Sequence, residues 1–130
     1  MKLKWIYWIA TTIIAAIYLL AGAYYLSDIA GVQRIFLTLG YPPYLVPILA
    51  VLKPLAAVTI LWRFSVALSD LAYAGMFYHL LLAISAHFNA GQVAEAAPAT
   101  IGLVALLISF ATQNAARRKP SPNAVLAGAN

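Results

Sequence analysis

Four stretches of this chain, residues 5–26, 44–62, 71–88 and 98–115, are apolar from end to end, with Lys53, His79 and His87 as their only basic side chains. A helix rises about 1.5 Å per residue, so each stretch is close to the ~20 residues that cross a hydrocarbon core of about 30 Å. None carries the polar face that a surface helix of a water-soluble domain requires. None alternates with period two, as the strands of a membrane barrel do. Composition agrees: 65% of the 130 residues are hydrophobic and 8% are charged, against roughly half and a quarter in a soluble domain. Too few charges remain to clothe a globule in water, so a soluble enzyme and a disordered linker are both poor fits. The chain reads as an all-α integral membrane protein, an antiparallel four-helix bundle built from residues 1–116.

The longest link, Ser27 to Tyr41, has a pattern of its own. Ile29, Val32, Ile35, Phe36 and Leu39 recur at helical spacing among polar residues. Ser27 or Asp28 can cap the start, and Gly40 with Pro42 and Pro43 ends it. This predicts a short amphipathic helix between spans one and two, lying in the headgroup plane or folded over the bundle mouth. Residues 117–130 carry no periodic pattern and read as a flexible basic tail.

The net charge of +5 does not form a nucleic-acid surface, because its basic clusters flank apolar runs. In a four-span topology Lys2, Lys4, Arg63, Arg117, Arg118 and Lys119 fall on one side, and Arg34, Asp28 and Glu95 on the other. The excess of basic residues places both termini of a multi-pass protein in the cytoplasm. Aromatic residues mark two boundaries: Trp5, Tyr7, Trp8, Trp62, Phe64 and Tyr73 at one, Tyr24, Tyr25, Tyr41, Tyr44 and Phe88 at the other. Lys2, Lys4 and Ala21-Gly22-Ala23 also resemble a secretory leader with a small-residue cleavage site. The length of the first run, with Trp5, Trp8 and Tyr18 inside it, favours its retention as a span.

Polar groups within the spans are the functional candidates. Lys53 lies about nine residues, or ~13 Å, from either end of its span, where an amine costs roughly 2.5–3.5 kcal/mol. Pro54 follows it and cannot donate to the Ala50 carbonyl, which predicts a kink and a freed acceptor. His79 shares the depth of Lys53, and an amine or imidazole there is a candidate proton acceptor. Tyr18 and Tyr78 complete a candidate intramembrane pocket. Plainer roles stand beside these: a lysine that snorkels or braces helices, a histidine bonded across helices, tyrosines that only pack. His87, Asn89 and Glu95 form a candidate outer rim. His79 and His87 are ~12 Å apart along a straight helix, too far to share one metal ion. Asp70, just ahead of the third run, reads as a helix N-cap. Cysteine is absent, so no thiol or disulfide chemistry resides in the chain. No phosphate loop, dinucleotide fingerprint or nucleophile elbow is present. Ala15, Gly22, Ala72, Gly75 and Ala83 offer close helix approach.

Leu39-Gly40-Tyr41-Pro42, then Lys53, then Ala72-Tyr73-Ala74-Gly75 and Ser85-Ala86-His87, taken in order and spacing, resemble the DoxX-like family. The resemblance covers nearly the whole of residues 5–111, without the tail, and implies a small bacterial protein with four spans, expected in the inner membrane. The family takes its name from a subunit of a thiosulfate:quinone oxidoreductase, so the resemblance also implies a link to membrane redox and sulfur chemistry. The leading expectation is a non-catalytic subunit or scaffold. The alternatives are a binding protein or oxidoreductase component for a quinone-like molecule, then a transporter. Expected partners are membrane lipids and a membrane protein or second copy, without nucleic acid; no cofactor is evident, and quinone is the candidate.

Overall fold

The computed structural model describes residues 2–124, and every regular element in them is helical. Helix α1 is Lys2–Ser27, α2 Ile29–Leu39, α3 Leu45–Trp62, α4 Val66–Asn89 and α5 Ala97–Ala116, with a single 3₁₀ turn at Ala94–Ala96. Four of these helices, α1, α3, α4 and α5 with its preceding turn, are long and apolar enough to cross a membrane. They pack in a ring, α1 against α3, α3 against α4, α4 against α5 and α5 back against α1. The diagonal pairs α1/α4 and α3/α5 do not approach backbone to backbone among the described residues. Only long side chains therefore span the middle of the bundle.

The core is formed by Ile14, Ala15, Tyr18, Ala57, Ile60, Tyr73, Met76, Leu80, Ala105 and Leu106. The outside is as apolar as the inside: Leu20, Leu71 and Trp62 each leave about two-thirds or more of their surface exposed. Such a belt is tolerable only in a lipid solvent. Thr59 and Thr112 satisfy their hydroxyls within their own helices, donating to the Leu55 carbonyl at 2.7 Å and to that of Ile108 at 2.6 Å.

Local rules set most boundaries. Asp28, not Ser27, caps α2, its side chain accepting from the Gly31 N–H at 3.0 Å. Gly40 closes α2 at φ 84°, and the Gly40 and Tyr41 N–H groups return to the Leu37 and Phe36 carbonyls, the usual glycine-terminated end of a helix. Helix α2 packs on α1, α3 and α4 with Val32 buried, so it folds over that end of the bundle. Helix α3 continues through Pro54. The ring of Pro54 is received by Gly22, where a Cβ would sit 2.7 Å from its Cγ.

Two expectations are corrected. Helix α4 begins at Val66 with Ser65 as its cap, so Asp70 is a helix residue and caps nothing. The carboxylate instead receives the Ser121 hydroxyl at 2.6 Å and the Asn123 amide at 3.0 Å. That contact also corrects the tail. From Arg117 to Asn123 the chain is held against the bundle: Arg117 donates to the Tyr7 hydroxyl and to the Ile60 and Leu61 carbonyls, and Ser121 is buried. Orphaned carbonyls at the end of α3 supply acceptors that a periodicity argument does not see. Residues 125–130 of the expected tail lie outside the described residues.

Candidate functional site

Lys53 emerges from the middle of α3 with 7% of its surface exposed. Its Nζ lies 4.8 Å from the Tyr18 ring centroid and 5.0 Å from that of Tyr25, both on α1. No carboxylate pairs with it among the described residues, and the ammonium is held by aromatic faces alone. Such contacts are worth about 0.5–2 kcal/mol each, enough between them to offset much of the roughly 2.5–3.5 kcal/mol cost of a lysine at the centre of a spanning helix. Each ring is fixed from behind. The Tyr18 hydroxyl meets His79 Nδ1 on α4 at 2.7 Å, crossing the α1/α4 diagonal. The Tyr25 ring stands edge-on to Phe36 of α2, with centroids 5.9 Å apart. Helices α1, α3 and α4 thus bring an amine, a phenol and an imidazole together, under a lid made by α2.

Chemically the group offers the N–H donors of Lys53 to an oxygen acceptor, and a phenol–imidazole pair along which a proton can move. His79 and Tyr25 are half-buried and mark the approachable edge. Among the described residues no three His, Asp or Glu side chains converge as metal ligands.

The remaining candidates lie elsewhere. Tyr78 is corrected: it is 65% exposed and faces outward beside Phe77. Adjacent residues on a helix point about 100° apart, so Tyr78 and His79 do not share a face. The outer-rim residues do not assemble into one site. His87 Nδ1 meets Gln92 Oε1 at 3.2 Å, Asn89 donates to the Ser85 hydroxyl, and Glu95 projects from the 3₁₀ turn.

At the opposite end, the structure forms a polar cluster that the sequence reading did not single out. The Ser109 hydroxyl bonds to Thr11 at 2.6 Å and to Tyr73 at 2.7 Å. Gln113, one turn further along α5, accepts from Arg63, whose second terminal nitrogen donates to the Lys119 carbonyl at 2.7 Å. Arg63 is the single non-glycine residue at positive φ among the described residues (53°), and its buried side chain turns back into the bundle. Tyr7 and Tyr73, expected at the membrane boundary, are also buried here. The available signal was the i, i+4 pair Ser109 and Gln113, two polar groups on one face of an apolar helix.

With the geometry in view, comparison with known proteins is informative: the family model of the DoxX-like family matches residues 9–121. This chain belongs to the DoxX-like family. No curated protein and no solved structure matches it. As a DoxX-like protein with four spanning helices it is a multi-pass membrane protein. The residues that carried the resemblance have physical roles in this DoxX-like chain. Gly40 ends α2, Lys53 holds the centre of the amine–phenol–imidazole group, and Tyr73 joins the buried Ser109 network.

Proposed function

We propose that this DoxX-like protein binds a lipophilic carbonyl compound of the quinone class at Lys53, as a component of membrane redox chemistry. The observation that carries the reading is a buried ammonium whose close partners, among the described residues, are two aromatic faces. A lysine kept solely to brace helices would gain more from a carboxylate or a freed carbonyl, each of which takes up N–H donors. The donor set fits a quinone-like ligand: N–H groups for a carbonyl oxygen, tyrosine rings for a flat apolar body, and a phenol–imidazole pair for proton exchange. When bound, such a ligand supplies the electron chemistry that no side chain of this chain offers. We further propose a bacterial inner membrane with both termini cytoplasmic, on the distribution of Lys2, Lys4, Arg63, Arg117, Arg118 and Lys119 against Arg34. A fluorescent protein fused to either end folds in the cytoplasm and reports that orientation.

The decisive experiment is the melting temperature of the detergent-purified protein with added short-chain quinones, beside native mass spectrometry of protein released from membranes. The expectation is saturable stabilisation that Lys53→Met abolishes, together with a retained ligand mass. A melting temperature that no quinone moves, with no retained ligand, refutes the reading. It leaves the non-catalytic subunit or scaffold that the chain's small size also fits.

A further inference from the structure

A second place in the molecule has the makings of a binding site and shares no residue with the Lys53 group. Between α4 and α5 a groove of about 400 Å³ opens toward the end of the bundle where α1 begins and α5 ends. Its lining includes Asp70, Tyr73, Phe77, Tyr78, Phe110 and Asn123. Asp70 is the only acidic residue within α1, α3, α4 and α5 themselves, Glu95 lying on the turn before α5. Its Oδ2 accepts from Ser121 and Asn123, neither of them charged, while Oδ1 is buried and accepts from nothing in the described residues. A buried carboxylate oxygen left unpaired costs about 1–3 kcal/mol or more, which a donor in the groove would recover. The walls are aromatic pairs set edge to face, Tyr73 with Phe110 at 5.4 Å and Phe77 with Tyr78 at 5.3 Å. Aromatic walls around a carboxylate favour a cation over a neutral donor. Asp70 lies near the start of α4, and Phe77 with Leu106 and Leu107 continues the groove inward along apolar surface. His79 is nine residues further along α4, about 13 Å by helical rise, so the two sites are separate.

We propose that this groove binds a lipophilic ammonium, with its nitrogen at Asp70 and its alkyl body along Phe77 and Leu107. The ammonium belongs either to a free long-chain amine or to the ethanolamine headgroup of a phospholipid. The test uses the full chain in phosphatidylcholine nanodiscs and labelled dodecylamine, with empty discs subtracted. One saturable site is expected, at least tenfold weaker for dodecanol, which has the same chain without the charge. Asp70→Asn, which keeps an acceptor oxygen for Ser121 and Asn123, weakens dodecylamine binding at least tenfold. Leu107→Trp, which narrows the groove from its lipid side without touching Asp70, does the same. Adding phosphatidylethanolamine to the discs separates the sources: competition identifies the headgroup as occupant, and unchanged affinity identifies the free amine. No saturable site above empty discs, equal affinity for dodecanol, or unchanged affinity in either variant overturns the proposal.

Discussion

Replacing Tyr25 by leucine removes one of the two rings that face the Lys53 ammonium, the one at 5.0 Å, and leaves Tyr18 at 4.8 Å. A desolvated cation–π contact is worth about 0.5–2 kcal/mol, and Lys53 is buried enough to sit toward the upper part of that range. Tyr25→Leu also breaks the edge contact with Phe36, so its total cost overstates the ammonium's share. A double-mutant cycle with Lys53→Met removes that excess, because the Phe36 contact is lost in both backgrounds. Lys53→Met alone sheds the roughly 2.5–3.5 kcal/mol of placing a lysine at the centre of a spanning helix and forfeits two ring contacts, so its net effect on stability is small. The expected coupling between the two substitutions is about 1–2 kcal/mol, read by reversible unfolding in mixed micelles. A coupling below about 0.3 kcal/mol, the level at which independent sites simply add, refutes the claim that aromatic faces hold the lysine.

Other substitutions test other joints of the fold. Gly22→Ala drives a methyl to 2.7 Å from Pro54 Cγ and is expected to cost about 1–3 kcal/mol by overpacking, seen as a lower unfolding midpoint. Ser109→Ala leaves the Thr11 and Tyr73 hydroxyls without their shared partner and is expected to cost about 1–3 kcal/mol in the same assay. Arg117→Met releases the following segment from Tyr7 and the end of α3, so trypsin cleaves after Arg118 several-fold faster; an unchanged rate would mean that Arg117 does not hold the segment. Gly40→Ala forces a side chain onto φ 84° and costs about 1–2 kcal/mol, measured again by unfolding.

The spans were legible because lipid imposes one rule, a long run with no polar face, and the sequence obeys it four times. Helix α2 was legible for a different reason: its apolar spacing, Asp28 and Gly40 are all local signals. The failures share a cause in long-range partners. Asp70 reads as a cap until Ser121 and Asn123, more than fifty residues away in sequence, are found on its carboxylate. Residues 117–123 read as loose because they lack period, yet isolated hydrogen bonds hold them. Depth placed Lys53 and His79 at one level, and the structure brings them together around Tyr18. Depth says nothing of rotation, and Tyr78 pointed elsewhere for that reason alone. Helical geometry forbids neighbours such as Tyr78 and His79 from sharing a face, which by itself separates Tyr78 from the pocket.

Photolabelling with an azido-quinone in native membranes, followed by peptide mapping, addresses the Lys53 assignment most directly. The predicted result is labelling on the peptides that carry Tyr18, Tyr25, Lys53 or His79, suppressed by excess unlabelled quinone and lost in Lys53→Met. Labelling confined to lipid-facing residues such as Ile101 and Val104, and indifferent to competitor and to Lys53, would contradict it.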